Sequence, residues 1–119
     1  MSTLVVSNIS DGTTTVGASY VTNGSAKAWV RFNQLTPAIT QSFNTSSVTD
    51  TSTGDSTANF TSSLNGVNYP CPTNNSFSAA EIGVYSHNTS VSSSRVITRS
   101  DAVTNVDRSW NLIQAGDLA

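Results

Sequence analysis

The 119-residue chain is poor in charge, in cysteine and in long apolar runs. Charged residues make up 10% of it, against about 25% in an average globular domain. Five Lys and Arg face seven Asp and Glu, a formal net charge of −2. The five cations are scattered, so no basic patch exists of the kind that neutralises phosphates, and nucleic acid is excluded as a partner. Cys71 is the only cysteine, which rules out an intrachain disulfide. No apolar stretch approaches the ~18 residues of a membrane-spanning helix. The opening MSTLVVSNIS lacks the basic end and apolar centre of a signal peptide. Synthesis in a cytosol, without export by that route and without membrane insertion, is the expectation.

What fills the gap is Ser, Thr and Asn, about two residues in five. Small hydroxyl and amide side chains compete with the helical backbone and suit strands, turns and hydrated surface. Disorder does not follow, because disordered chains are highly charged and poor in aromatic and β-branched residues. This chain has nine aromatics and many Val and Thr. It is therefore expected to fold, β-rich and short of core, with 36% apolar residues. A chain short of core completes its apolar contacts in an oligomer or on a partner. The length fits one domain, residues 1–119, with a strand or arm at 1–22 and a β core at 23–119.

Alternation of apolar and polar residues marks the strands. Ala26–Phe32, Ser47–Asp50, Thr57–Phe60, Ile82–Tyr85 and Ser109–Ile113 are the expected ones, with shorter runs at Ile39–Phe43 and Arg95–Arg99. Asp11–Thr15 reads as a turn entering a Thr-rich strand, extended through Val16 and Tyr20. The Asn-Gly at the centre of Thr22–Ser25 is a strong hairpin signal. The prolines flanking Cys71 bar Leu64–Asn75 from a central strand. His87–Ser94, polar and repetitive, reads as an exposed loop tip. Strands this short, with turns every 8–12 residues, predict an all-β fold. The expected architecture is a single small antiparallel β-sandwich or barrel-like domain, with no convincing helix.

Chemistry-bearing residues are few. Cys71 lies between prolines and His87 among serines, and neither has a catalytic motif around it. One Cys and one His fall short of the four ligands of a zinc site. Asp50 and Asp55 bracket a hairpin turn, where Asp is favoured because its carboxylate accepts nearby backbone N–H groups. Asp101 and Asp107 receive the same reading. No catalytic residue, metal or cofactor is expected.

The informative stretch is NGSAKAWVRFN, residues 23–33. Ala26, Ala28, Val30 and Phe32 share one face of the strand; Lys27, Trp29 and Arg31 share the other. Either that second face is covered too and Trp29 is core, or it meets a partner, where Trp and Arg are enriched. Stacking on a sugar face is a further use of such a Trp. Lys27, Trp29, Arg31 and Trp110 are the candidate interface residues.

GSAKAWVRFN (Gly24–Asn33), SFNTSSVTDTSTGDSTANF (Ser42–Phe60) and the closing GDLA (Gly116–Ala119) resemble a family of phage tail-fibre-like virion proteins. Its members show an AKAWVxFN strand, an xSxNVSSxTDxGTGDYTVNF hairpin and a Gly-Asp near the C-terminus. MSTLVVSNISDG is also similar to phage fibre and spike N-termini. The resemblance covers the chain as far as Phe60 and again its last few residues. Pro70-Cys71-Pro72 departs from the extended segment usual in the family. The resemblance implies a non-enzymatic virion component, commonly a homotrimer, made in the bacterial cytoplasm. Trp29 would then face another subunit or the next layer of the virion. A capsid decoration (cement) protein seated on the major capsid protein fits a chain with room for one module. A short tail-fibre or receptor-binding module touching tail components or host glycans is the alternative.

Overall fold

The computed structural model describes residues 1–75 and 83–119. Ten strands and one short helix follow in order: β1 (Asn8–Ser10), β2 (Thr15–Gly17), α1 (Ala18–Gly24), β3 (Ala28–Asn33), β4 (Ala38–Phe43), β5 (Thr45–Ser52), β6 (Asp55–Phe60), β7 (Thr73–Asn75), β8 (Gly83–Ser90), β9 (Ser93–Arg99) and β10 (Ser109–Gln114). Eight strands form two antiparallel sheets, ordered β4-β3-β10-β7 and β5-β6-β9-β8. Inward side chains of both sheets meet in one core. Ala28, Val30 and Phe32 come from β3, Trp110 and Leu112 from β10, Ala58 and Phe60 from β6, and Val96 from β9. Leu64 closes one end. The chain is therefore all-β, as expected, with its two sheets packed around a shared core. Among the described residues no helix is long and apolar enough to cross a membrane.

A single residue passes the chain from one sheet to the other. Asn44 separates β4 from β5 and sits at φ 51, in the left-handed region that Asn tolerates better than most side chains. Its amide nitrogen donates to the carbonyls of Lys27 (2.9 Å) and Ser62 (3.1 Å), and its side-chain oxygen accepts from the Ser62 N–H (2.7 Å). The kink is thus held by three bonds from its own side chain. The opposite end of the sandwich is closed by a polar network. Buried Gln34 donates to Asp50 (3.1 Å) and to the Ser52 carbonyl (3.4 Å), linking the two sheets, and its side-chain oxygen lies 3.3 Å from the Thr98 hydroxyl.

Each of the main expected strands is present, most of them longer at one or both ends; the one at Ile82–Tyr85 is described from Gly83 onward, Ile82 lying outside the described residues. The Pro-flanked segment ends in β7, an edge strand of three residues, as the prolines require. Several expectations fail. The extended run ends at Gly17, and Tyr20 lies in α1, a short helix where none was expected. The strand expected from Ala26 starts at Ala28. His87–Ser94 is not a loop tip: β8 runs to Ser90 and β9 starts at Ser93, leaving Val91 and Ser92 as the turn. The serines satisfy themselves across it, Ser90 with Ser93 at 2.9 Å and the Ser94 hydroxyl donating to the His87 carbonyl at 3.2 Å. Polarity therefore does not oppose the ladder. Thr22–Ser25 is likewise not a hairpin turn but the end of α1 and its cap. Both edges of β3 are taken, by β4 and β10, so no strand ahead of Asn23-Gly24 has a place to pair.

Residues 1–26 stand apart from the sandwich. β1 pairs only with β2, across a turn in which the Asp11 carboxylate accepts the N–H groups of Thr13 (2.9 Å) and Thr14 (2.8 Å). None of these residues is buried, and α1 buries no side chain. The molecule measures 50 × 29 × 25 Å, with a radius of gyration of 16.5 Å. A compact chain of this length would have a radius of about 13–14 Å. The excess reflects an arm projecting from the sandwich.

Candidate protein interface

The outer face of the β4-β3-β10-β7 sheet is set by the register around β3. Trp29 lies opposite Phe43 on β4 and opposite Ile113 on β10. The Ile113 N–H donates to the Pro72 carbonyl at 3.0 Å, which brings Pro72 alongside. Phe43, Trp29, Ile113 and Pro72 thus form one apolar row across the whole sheet. The first three are 55%, 38% and 51% exposed. The next row is polar: Gln41, Arg31, Asn111 and Asn74. Asn111 donates to Asn74 at 2.9 Å, while Arg31 makes no hydrogen bond or ion pair among the described residues. Two shallow hollows, about 270 and 250 Å³, lie between the rows beside Ile113.

Of the four residues singled out from sequence, Trp29 and Arg31 lie on this face. Lys27 does not. β3 begins only at Ala28, and Lys27 is 8% exposed, with its ammonium donating to the Ser25 carbonyl (3.1 Å) and hydroxyl (2.9 Å). It lines a separate groove of about 580 Å³ with Thr22, Phe43, Asn65 and Asp117, at the base of the arm. Trp110 does not either. It points inward, is fully buried and packs against Phe32 with ring centroids 5.4 Å apart. On the antiparallel register Trp110 pairs with inward-facing Phe32, whereas Ile113 pairs with outward-facing Trp29. Phe43, Ile113 and Pro72 were not read as site residues. Their strands carried the right alternation, but only the cross-strand register puts them in one row with Trp29.

The outer face of the second sheet is different in kind. Asp55 and Arg95 form a bidentate ion pair at 2.9 and 2.5 Å. Asn59 donates to Ser47 (3.0 Å) and Thr49 (3.1 Å), and Arg99 lies over the Tyr85 ring at 5.7 Å. This face satisfies its own polar groups and presents them to water.

The ion pair has a consequence in acid. Hydrogen bonds from Arg95, reinforced by its charge, hold the Asp55 carboxyl below the usual carboxylate range against the opposing effect of burial. Its contribution is present above the unfolded Asp value near ~3.9 and is lost as pH falls through the lower folded value. The Arg95 side chain is 40% exposed, so the pair belongs with surface bridges, whose contribution to stability is small. Asp55→Asn should lower the thermal midpoint slightly at neutral pH and leave it level with wild type in strong acid. A constant difference across that range would contradict the assignment.

Several other carboxylates hold the backbone or a neighbouring side chain. Asp101 accepts the Val103 and Thr104 N–H groups, which lowers its carboxyl, and Asp107 accepts the Gly54 N–H at 2.7 Å. Asp50 and Asp55, expected to take backbone N–H bonds, instead take side-chain partners, Gln34 and Arg95. Half-buried Cys71 accepts a 3.4 Å bond from the Ser86 hydroxyl, and His87 lies exposed on β8. Among the described residues no three metal-ligating side chains cluster. Compared with protein-family models, with curated proteins and with solved structures, the chain shows no match.

Proposed function

We propose that this chain is a non-enzymatic structural protein of a bacteriophage virion, a trimeric capsid-decoration (cement) module whose first sheet meets a neighbouring subunit. The observation that carries the reading is the asymmetry of the sandwich. One outer face presents a continuous apolar row, Phe43–Trp29–Ile113–Pro72, beside an Arg31 that makes no hydrogen bond or ion pair among the described residues; the other pairs Asp55 with Arg95 and Asn59 with Ser47 and Thr49. Contiguous exposed apolar surface rimmed by polar residues marks a protein contact. Trp and Arg at its centre are the side chains that most often anchor one. The similarity of the Gly24–Asn33 and Ser42–Phe60 segments to phage fibre-like virion proteins supplies the setting. A closed ring of three requires a heterologous contact, one patch on a different patch.

One observation favours a second reading, a short tail-fibre or receptor-binding module. An exposed Trp29 bordered by Arg31, Gln41 and Asn111 is an arrangement on which a sugar ring stacks while its hydroxyls are hydrogen-bonded. Quantitative mass spectrometry of purified particles separates the two. Decoration predicts a copy number proportional to the major capsid protein and antibody labelling over the head. A few copies per particle, labelled at the tail, with glycan binding abolished by Trp29→Ala, would replace it with the fibre reading.

A further inference from the structure

We infer that the edge of the apolar face is occupied by the arm of a second copy: residues 3–7 of one chain add as a strand along β4 of its neighbour, beside Phe43. This deepens the reading above and rests on it for the face being a seam between subunits. Two unused surfaces in the same chain fit each other. The first is the edge of the sheet. Among the described residues β4 is the outermost strand, paired only with β3, and all six of its residues are exposed. Its free side presents a row of unpaired N–H and C=O groups, a template for another strand. The second is the arm. Leu4 and Val5 are 84% and 87% exposed, and residues 1–6 belong to no strand or helix. The stretch TLVVS is rich in β-branched residues, as a strand is. At ~3.3 Å per residue it spans most of the length of β4.

The occupant is a second copy because the arm is carried outward. A strand of six to eight residues is ~20–27 Å long, close to the two short dimensions of the molecule, 29 and 25 Å, so the arm accounts for most of the remaining length of 50 Å. The hairpin Asn8–Gly17 and the seven-residue α1 bury no side chain against the sandwich. Elements of this size are marginal alone in water, and docking on a neighbour supplies the contacts they lack. Arm-into-edge is head-to-tail, the geometry that closes rings. Backbone pairing of this kind gives affinity through the main chain and selectivity through alternate side chains.

Complementation tests it. Sedimentation velocity is run on full-length wild type, on Leu4→Asp combined with Val5→Asp (arm broken, face intact) and on Phe43→Glu (face broken, arm intact). Circular dichroism checks that each keeps its β spectrum, and Phe43→Ser replaces Phe43→Glu if the latter unfolds. Wild type should be oligomeric at micromolar concentration. Each variant alone should associate more than about tenfold more weakly, a loss of about 1.4 kcal/mol or more. An equimolar mixture should recover association, because one chain brings a good arm and the other a good face. An arm variant that sediments like wild type, or a mixture that stays monomeric, overturns the arm inference while the seam between subunits stands. A monomeric wild type overturns both.

Discussion

Trp110→Ala should remove about 3–5 kcal/mol of folding stability, a large fraction of the total for a chain of this size. Trp110 is fully buried, packs on Phe32 and sits on β10 between β3 and β7, where inward side chains of both sheets converge. Truncation leaves a cavity bounded by residues that belong to strands on several sides, so the site cannot collapse. Among the described residues its indole N–H has no hydrogen-bond partner. A buried unsatisfied donor is itself a cost of about 1–3 kcal/mol, so Trp110→Phe, which removes the donor and keeps most of the ring, should lose less than half of what Ala loses. Trp29→Ala should act on a different quantity. It should cost the monomer much less and weaken self-association instead. Chemical denaturation below the association threshold, set beside sedimentation of the same variants, separates the two tryptophans. If Trp29→Ala destabilises the isolated chain as much as Trp110→Ala, Trp29 is ordinary core and the face is no seam.

That contrast marks what could be read in the sequence. β3 was legible because Ala28, Val30 and Phe32 alternate with Trp29 and Arg31 and the pattern has period two. The outward position of Trp29 follows from the same pattern. Lys27 obeyed the parity but not the fold: the strand starts one residue later, and its ammonium turns back to Ser25. Phe43 and Ile113 lie opposite Trp29 only through register, which depends on where β4 bulges between Arg31 and Phe32 and on how β10 returns from a distant part of the chain. Neither is encoded locally. The serine-rich β8–β9 hairpin was misread because low hydrophobicity suggests loop, whereas backbone pairing and self-satisfied hydroxyls need little apolar burial. Here only Ser94, Val96 and Thr98 of β9 are buried. Asn23-Gly24 is a sound local turn signal overridden by topology, since β3 has no free edge. A strand or arm was expected at residues 1–22, and in the structure no residue is buried as far as Ala26.

Gly54→Ala should be nearly as damaging as Trp110→Ala, although it adds one methyl and removes nothing. Gly54 turns β5 into β6 at φ +65, a region that costs an L side chain about 1–2 kcal/mol. Strain alone would be tolerable. The added Cβ, however, would lie 2.6 Å from both the Thr98 carbonyl oxygen and the Val106 nitrogen, and 2.9 Å from the Asn105 Cβ. The first two are backbone atoms of β9 and the segment after it, tied together because the Val106 N–H donates to the Thr98 carbonyl at 3.1 Å and the Thr98 hydroxyl donates to the Val106 carbonyl. Gly54 itself belongs to the knot: its carbonyl accepts from the Thr98 N–H at 2.9 Å, and its N–H donates to Asp107 at 2.7 Å. Through Thr98 the knot reaches Gln34 and Asp50, the link between the sheets. To admit the methyl the turn must back away and break several of these bonds together, at about 1 kcal/mol each, for a total loss of about 3–5 kcal/mol with the strain included. Gly12→Ala is the control. Gly12 also has a positive φ, +97, but nothing lies within 4 Å of its added Cβ and it sits on the arm. It should leave the melting temperature of the sandwich unchanged. Thermal unfolding followed by circular dichroism reads both. A Gly54→Ala loss no larger than about 1–2 kcal/mol would mean that the turn relaxes freely, and that the knot around Thr98 does not hold this end of the sandwich together.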